Sequence, residues 1–191
     1  ISKISRSAIT LERFSSVSSL EQKEEKIICI IPFIKKDNFH FMLQKLTEIG
    51  VSDFMLYKPD LIDQSIARKD ILKLAEKAEE VVISACKQCG SNFLPTISVF
   101  ENLKDTLNIL SEGISIYAFD VDALVDFKTE ELIDELSISV ITGPESGFSE
   151  EEKTILSNNG VKIRLIGRNV LRAETAPLVI STLIQNHFGR I

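Results

Sequence analysis

Residues 141–152, with the sequence ITGPESGFSEEE, combine small, polar and acidic residues in a short loop that could hold a ligand. A phosphate-binding loop needs Lys followed by Ser or Thr directly after its last glycine. Here Gly147 is followed by Phe148 and Ser149, and Glu145 would place a negative charge where the phosphate should lie. The loop is therefore either an ordinary connection or a site for a ligand with a cationic part.

A second segment, LIGRNVLRAETAPL at 165–178, carries charged and hydroxyl side chains directly after a strand-like run: Arg168, Arg172, Glu174 and Thr175. Three more cations lie nearby, so positive charge is concentrated at this end of the chain: Lys162, Arg164 and Arg190. On the plainest interpretation, Arg172 and Glu174 only mark a helix start, where a glutamate interacts favourably with the helix dipole.

Strands and helices alternate along the chain and must position these two segments. The isoleucine-rich run at 27–32 predicts a strand buried on both faces. Further strands are predicted at 52–59, 96–100, 114–120, 137–142 and 161–167, and helices at 38–50, 68–88, 101–110, 150–158 and 175–188, with weak helical character before residue 136. Ser149 and Glu152 form a capping-box pattern at one helix start. This alternation predicts an α/β fold with a parallel sheet covered on both faces, and such sheets bind ligands at their strand ends.

Composition limits the class of protein. The 191 residues suit one medium domain, or one domain with a fragment of another, and 44% hydrophobic residues are enough for a core. The net charge of −6 counts against a nucleic-acid partner unless positive charge is local. No apolar run approaches the roughly 20 residues of a membrane span, so we expect no membrane association. Because residue 1 is Ile, we expect the natural chain to extend upstream.

The three cysteines do not indicate a disulfide framework, so a reducing cytoplasm is the expected location. Cys86 and Cys89 form a C-x-x-C pair, which could serve redox chemistry or half of a zinc site. A zinc site needs a second ligand pair, whereas the remaining candidates are isolated along the chain: Cys29, His40 and His187. We therefore expect no metal, and small, half-buried helix residues at the pair.

The two loops and their spacing closely resemble the RsmE family of bacterial 16S rRNA uridine methyltransferases, which belongs to the SPOUT superfamily. That family's pattern is G-P-E-G-G-[FL]-S followed by L-G-x-x-[IV]-L-R-x-E-T-A. Two upstream segments are also similar to family motifs: LQKLTEIGVSDF at 43–54 and SACKQCGSNFLPTI at 84–97. The resemblance covers residues 27–191. Residues 1–26 are similar to the last strands of the family's N-terminal PUA-like β-barrel, and within this range the polar stretch at 15–26 is predicted to be a linker.

The resemblance implies a parallel sheet with a C-terminal trefoil knot, and S-adenosylmethionine bound in the knot without metal. It implies methylation of N3 of a uridine in 16S rRNA of the small ribosomal subunit. It also implies a cytoplasmic homodimer, which we expect to bury three residues of the last helix: Leu178, Leu183 and Ile184.

The family's site residues transfer to this chain by their motif positions. The cofactor-binding residues implied are Phe119, Ile141, Thr142, Gly143, Pro144, Glu145, Gly147, Ile166, Gly167, Val170, Leu171, Thr175 and Ala176. Arg172 and Glu174 are the catalytic candidates. An arginine can stabilise the charge that develops on the uracil oxygens, and Glu174 would either orient Arg172 or accept the proton.

The chain departs from the family pattern at several positions. Ser146 stands where the family has glycine, which would be unfavourable if that position needs a positive φ. Lys87 replaces a glutamate, Ser91 replaces an arginine, and residues 57–61 lack the family's Ser-Glu-Arg. These departures leave two alternatives open. One is another SPOUT RNA methyltransferase acting on ribose 2′-O, and the other is a catalytically decayed RNA-binding or assembly protein.

Overall fold

The predicted buried strand forms β3 (Lys26–Pro32), near the middle of a six-stranded sheet. The computed structural model describes residues 2–10, 12, 24–110 and 113–191. The other sheet strands are β4 (Asp53–Tyr57), β5 (Thr96–Phe100), β6 (Ser115–Phe119), β7 (Ser137–Thr142) and β8 (Lys162–Arg164). Their order is β5-β4-β3-β7-β6-β8, and every pairing is parallel. The predicted α/β class with a parallel sheet is confirmed.

Helices connect these strands on both sides of the sheet. They are α1 (Lys36–Ile49), α2 (Gln64–Ala67), α3 (Ile71–Cys89), α4 (Leu103–Leu107), α5 (Glu150–Asn158) and α6 (Ala176–His187). One face of the sheet carries α1, α3 and α6, and the other face carries α4 and α5. Successive strand residues point to opposite faces, so Cys29 and Ile31 pack on the first side and Ile30 on the second.

The end of α1 is joined to α6, the last helix of the chain. Gly50 follows α1 with a φ of 96°, the left-handed conformation that favours glycine at this position. The Gln185 side chain donates hydrogen bonds from Nε2 to the carbonyl oxygens of Ile49 and Gly50, at 3.0 and 2.9 Å. A Cβ atom at Gly50 would lie 2.9 Å from that Nε2 atom and would displace the Gln185 amide, while the φ angle itself favours glycine.

Several predicted elements are shorter than expected because local hydrogen bonds end them. Asp63 and Asp70 each accept a backbone N–H, so the predicted helix at 68–88 instead follows a separate α2 and begins at Ile71. Asn102 caps the predicted helix at 101–110, which extends only over α4. The region before residue 136 holds one 3-10 helix, Thr129–Leu132. The predicted strand at 161–167 is reduced to β8, since Leu165 bonds to residues 125–127 instead.

Two short antiparallel strands precede the sheet: β1 (Lys3–Ile4) and β2 (Ile9–Thr10). Both strands are exposed. Residues 15–23 of the predicted linker at 15–26 lie outside the described residues, and its last residue, Lys26, begins β3 instead. Within the part of the chain that the structure describes, no helix combines the length and hydropathy needed to cross a membrane.

The cysteines occupy different environments. Cys29 is fully buried in β3, where burial raises the pKa of its thiol to about 12. Cys86 and Cys89 lie at the end of α3, as expected, with Cys86 buried and Cys89 exposed. Burial also raises the pKa of Cys86. The described residues contain no group of three or more side chains placed to bind a metal ion.

These environments predict a large difference in thiol reactivity. The thiolate is the reactive form, so Cys89 should react with a thiol reagent in the native protein while Cys29 remains unmodified. Mass spectrometry after brief labelling checks this, with all three thiols labelled in denaturant as the control. Rapid native labelling of Cys29 would contradict the structure.

Candidate functional site

Three chain segments meet at the carboxyl edge of the sheet and enclose a cavity of about 660 Å³. The segments are residues 119–122 after β6, residues 142–148 after β7 and residues 165–176 after β8. They meet because the three strands are parallel neighbours, which places all their carboxyl ends at one edge. The two loops singled out from the sequence thus form opposite walls of one site.

The first loop is a tight turn that depends on its glycines. The Gly147 N–H donates to the Pro144 carbonyl oxygen at 2.9 Å, and Gly147 has a φ of 75°. A Cβ atom at Gly143 would lie 3.3 Å from the backbone of both Gly147 and Phe148. Glycine therefore lets the chain reverse closely enough for its backbone to face the cavity. Phe148 is buried and anchors the turn in the core.

Ser146 is accommodated without the expected backbone cost. Asp134 is the one residue other than glycine with a positive φ in the described segments, so the concern about Ser146 was wrong. The Ser146 hydroxyl instead donates to the Leu61 carbonyl oxygen at 2.8 Å. This serine joins the loop after β7 to the loop after β4.

Other side chains also connect the loop after β7 to β4 and the loop that follows it. The buried Tyr57 hydroxyl donates to the Thr142 carbonyl oxygen at 3.0 Å, and burial raises the pKa of this phenol well above its usual value. The phenol therefore remains a donor across the physiological pH range. The Ser149 hydroxyl donates to the Asp60 carboxylate at 2.5 Å. The first loop is thus fixed from the β4 side.

The predicted capping box at the start of α5 is present. Ser149 Oγ accepts from the Glu152 N–H at 3.0 Å, and the Glu152 carboxylate accepts from the Ser149 N–H at 2.9 Å. The same carboxylate accepts from the Asp60 N–H at 3.3 Å. Burial raises the pKa of Glu152, and these backbone hydrogen bonds partly oppose that rise. Glu152 is therefore both a helix cap and a connection to the loop after β4.

The second loop is held by backbone hydrogen bonds. Leu165 donates to the Val125 carbonyl oxygen and accepts from the Phe127 N–H, both at 2.8 Å. The Arg172 carbonyl oxygen accepts from the N–H groups of Thr175 and Ala176, at 2.9 and 3.0 Å. These bonds fix the backbone on either side of Arg172.

The two catalytic candidates differ strongly in exposure. The Arg172 side chain is 83% exposed and the Glu174 side chain 11% exposed, and both line the cavity. Arg172 Nη1 lies 4.0 Å from Glu174 Oε1. The guanidinium thus extends into solvent beside a buried carboxylate, and it can approach a large substrate from outside.

Most of the predicted cofactor residues line the cavity: Phe119, Thr142, Gly143, Pro144, Glu145, Gly147, Ile166, Gly167, Val170, Leu171 and Ala176. Two predicted residues lie outside its lining. Ile141 is fully buried on the α4 and α5 side of the sheet, because it alternates with Thr142 along β7. Thr175 precedes α6 as its cap residue and makes no side-chain cap hydrogen bond.

The cavity also contains residues that the sequence analysis did not assign to a site: Asn38, Asp120, Val121, Asp122, Ser146, Phe148, Lys153, Leu165, Arg168, Asn169 and Ala173. Asn38 and Lys153 come from α1 and α5, so only the tertiary structure brings them here. Asp120 and Asp122 directly follow β6, and their place after a predicted strand was a usable signal. Lys153 Nζ lies 3.1 Å from Asp122, and that hydrogen bond raises the pKa of Lys153.

Three of the cationic side chains near the second loop form ion pairs or hydrogen bonds within the protein. Arg164 Nη2 lies 2.6 Å from the Glu131 carboxylate, and Arg190 Nη2 lies 2.6 Å from the Glu25 carboxylate. Lys162 Nζ lies 3.2 Å from the Tyr117 hydroxyl. The arginines exposed at the cavity mouth are Arg168 and Arg172, so the positive surface is smaller than the sequence indicated.

Comparison with known proteins agrees with this geometry. The sequence matches the family described as an RNA methyltransferase domain over residues 21–185. Ribosomal RNA small subunit methyltransferase E of Helicobacter pylori (strain ATCC 700392 / 26695) is 31% identical over 163 residues, which are 84% of this chain and 67% of that protein. The protein of the same name from Aquifex aeolicus is 31% identical over 151 residues, 76% of this chain and 61% of that protein.

Solved structures share the fold. A putative methyltransferase from Legionella pneumophila, in complex with S-adenosylmethionine, has a TM-score of 0.77 at 25% identity and covers 87% of this chain and 69% of that one. Ribosomal RNA small subunit methyltransferase E from Neisseria gonorrhoeae, bound to S-adenosylmethionine, has a TM-score of 0.76 at 23% identity, covering 88% of this chain and 69% of that one. A SpoU methyltransferase from Streptomyces viridochromogenes is similar at 12% identity, with a TM-score of 0.54 and coverages of 88% and 62%.

The fold, the position of the cavity and the matched domain define an RNA methyltransferase of the SPOUT structural class. The sequence relatives identify one family within this class. The chain belongs to the ribosomal RNA small subunit methyltransferase E family, as the two loop motifs indicated.

The hydrogen bonds of Ser149 predict a measurable contribution to stability. Ser149→Ala should lower the free energy of unfolding by about 1 to 2 kcal/mol, because it removes a helix cap and a hydrogen bond to Asp60. Ser157→Ala is the matched control, since Ser157 is exposed in the same helix. Denaturant unfolding measures both variants. Equal stabilities for the two would contradict the role of the capping box.

Proposed function

We propose that this chain binds S-adenosylmethionine in the 660 Å³ cavity and methylates N3 of a uridine in 16S rRNA of the small ribosomal subunit. The observation that carries the proposal is the meeting of the two family motifs in one cavity. The relatives are named ribosomal RNA small subunit methyltransferases, and the proposed substrate is taken from those names. The N3 position comes from the family resemblance, and the cytoplasm follows from the ribosomal substrate.

The cavity suits the proposed cofactor in size and charge. A cavity of this volume falls within the range for small-molecule sites, which is about 300 to 1,000 Å³. Its lining contains four acidic residues (Asp120, Asp122, Glu145 and Glu174) and three basic ones (Lys153, Arg168 and Arg172). Lys153 is paired with Asp122, and both arginines are exposed at the mouth. A ligand with a sulfonium and an ammonium group would be attracted to such a lining. Glu145, which argued against a phosphate, is therefore compatible with this cofactor.

In the proposed reaction, Arg172 stabilises the negative charge that develops on the uracil. When bound, S-adenosylmethionine supplies a methyl group on a positively charged sulfur. Methylation of uracil N3 requires loss of the N3 proton, which passes to solvent water at the exposed mouth of the cavity and leaves negative charge shared with the neighbouring carbonyl oxygens. The exposed Arg172 guanidinium lies at the cavity mouth, where it can donate hydrogen bonds to those oxygens. It also stays charged at any relevant pH.

Glu174 is assigned to the orientation of Arg172. Its carboxylate is buried and lies 4.0 Å from the guanidinium, so it attracts Arg172 toward the cavity. The alternative role as proton acceptor requires the uracil to reach this buried oxygen. The exposure difference between the two side chains favours orientation.

We further propose the trefoil knot and a two-domain arrangement, with residues 1–26 as the end of a PUA-like barrel and its linker, and residues 27–191 as the methyltransferase domain. Two observations support the knot. β8 pairs with β6, and Leu165, which directly follows β8, is hydrogen-bonded to the segment 125–127. From that edge of the sheet the chain returns to pack α6 against β3 and β7 at the centre. The exposed pairing of β1 with β2 supports a β-rich preceding domain.

A homodimer is proposed on a surface different from the one expected. Ile184 is fully buried within this chain, so it does not contribute to an interface, whereas Leu178 and Leu183 are partly buried. Apolar side chains are instead exposed beside the cavity: Val121, Leu124, Val125 and Val170. Leu124 is 100% exposed and Val170 is 80% exposed. Several exposed apolar residues on the two segments that border the cavity favour a protein interface there.

The alternatives predict different products. Structural similarity extends to a protein associated with 2-OH methylation of C/U34 on tRNA, with a TM-score of 0.58 at 14% identity. The shared fold therefore does not distinguish base from ribose methylation. The curated relatives favour the ribosomal substrate. A decayed protein would bind RNA and transfer no methyl group.

The role of Arg172 gives the sharpest test of this proposal. Arg172→Ala should lower kcat for methyl transfer to 30S subunits by roughly 10²- to 10³-fold, the scale for loss of one charge-stabilising donor. Its affinity for S-adenosylmethionine in calorimetry should stay within about twofold of the parent, because 83% of the Arg172 side chain is exposed to solvent at the cavity mouth. Arg172→Lys should recover only part of the rate, since an ammonium lacks the planar pair of donors.

Arg168→Ala is the matched control, because Arg168 is an exposed arginine in the same loop. It should retain most of kcat. If Arg172→Ala methylates at the parental rate, the residue only marks a helix start. If that variant loses cofactor affinity and rate together, Arg172 belongs to the cofactor wall.

The dimer proposal predicts a mass of about twice 21.4 kDa by light scattering. Leu124→Glu should shift the mass toward the monomer, because it places a charge within the proposed apolar interface. Leu72→Glu is the control, since Leu72 is also strongly exposed but lies in α3. A monomer mass for the parental protein across concentrations would rule out the dimer.

A further inference from the structure

Two hydroxyl groups of β7 are buried without a hydrogen-bond partner among the described residues: Ser139 Oγ and Thr142 Oγ1. A buried polar atom without a partner destabilises the folded protein, so such atoms are uncommon. The two differ in one respect. Thr142 lines the cavity, whereas Ser139 lies within the sheet, away from the cavity.

Thr142 lies at the inner end of the cavity and is 2% exposed. Alternation along β7 places its side chain on the same side as Ile138 and Val140. On that side, the cavity lining includes apolar and small residues that also pack against the core: Phe119, Ile166, Ala173 and Ala176. Phe119 is the direct register partner of Thr142 on β6. The Thr142 hydroxyl is therefore the polar group of an otherwise apolar recess.

Most of the charged residues of the cavity lie elsewhere, and only Glu174 among them is buried. Arg168 and Arg172 are exposed at the mouth, and Lys153 reaches the lining from α5 while paired with Asp122. The lining around Thr142 is thus largely apolar, whereas the exposed charged residues lie at the mouth and the buried Glu174 carboxylate lies 4.0 Å from the Arg172 guanidinium. A ligand with a flat aromatic base at one end and a charged amino-acid group at the other would bind with the base inward.

We infer that the Thr142 hydroxyl hydrogen-bonds the adenine base of S-adenosylmethionine. The inference rests on the proposed function and adds a side-chain contact to it. A hydroxyl both donates and accepts, so it can pair with the ring nitrogens or with the amino group of adenine. Thr142 is then a positioning residue, whose missing hydrogen-bond partner is supplied by the ligand.

This inference predicts opposite effects on stability and on binding. Thr142→Val replaces the hydroxyl by a methyl group of similar size. Without ligand, the variant should melt about 2 to 4 °C higher than the parent, because the cost of the unpaired hydroxyl disappears. Its affinity for S-adenosylmethionine should be about 3- to 10-fold weaker, the scale of one neutral hydrogen bond.

Ser139→Ala is the matched control, since it removes the other unpaired hydroxyl of the same strand. It should also raise the melting temperature, but it should leave cofactor affinity unchanged. Thr142→Ser keeps the hydroxyl and should keep the affinity within about twofold. In methyl-transfer assays, Thr142→Val should raise KM for the cofactor by the same factor as Kd and leave kcat unchanged.

Calorimetry with two ligands identifies the part of the cofactor that is contacted. S-Adenosylmethionine and 5′-methylthioadenosine share the adenine, and only the first has the amino-acid group. Thr142→Val should weaken both by the same factor. Unchanged affinity for both ligands, or weakening of S-adenosylmethionine alone, would overturn the assignment to adenine. If the parental protein binds neither ligand at millimolar concentration, the proposed cofactor itself is wrong, which is a separate and recognisable result.

Discussion

The parallel pairing of β7 between β3 and β6 is the constraint on which the site depends. It aligns the carboxyl end of β7 with that of β6, so that Phe119 lies opposite Thr142. The loops after both strands therefore open toward the same space. Since both faces of β7 are buried, a register shift would move Ile138 and Val140 into the opposite core and disrupt the packing on both sides. The position of the cavity follows directly from the position of the core.

The walls of the cavity are fixed from two directions. From the β4 side, Tyr57, Ser149 and Glu152 hold the first loop through hydrogen bonds. From the other side, the backbone of Leu165 is bonded to residues 125–127. A cavity with walls held in this way is largely pre-formed, so little binding energy is lost in ordering it. The exposed Arg172 side chain is the contrasting element, which suits a group that meets a large RNA substrate.

Much of this arrangement was predictable from local patterns. The isoleucine run of β3 and the Ser149–Glu152 capping box are short-range signals, and both are present in the structure. The two glycine-containing motifs were sufficient to predict most of the residues that line the cavity. The family assignment came from the same motifs and is confirmed by the matched domain.

Other features depend on tertiary contacts that no local pattern contains. The predicted strand at 161–167 is shorter in the structure because Leu165 pairs with residues 125–127. An apolar residue favours a strand in the sequence, but the sequence does not show which segment it pairs with. The cations Arg164 and Arg190 were expected to add positive surface, but each pairs with a glutamate far away in sequence. Asn38 and Lys153 reach the cavity from helices that the site motifs do not include. The unpaired Thr142 hydroxyl could be recognised only from its surroundings.

The central claim is that this cavity serves base methylation of ribosomal RNA in the small subunit. The most direct measurement is to incubate the purified protein with S-adenosylmethionine and unmethylated 30S subunits, and then to analyse the nucleosides of the 16S rRNA by mass spectrometry. The same reaction with naked 16S rRNA shows whether the assembled particle is needed. We expect 3-methyluridine at one position. A 2′-O-methylated nucleoside, or no methylated product from either substrate, would contradict the account.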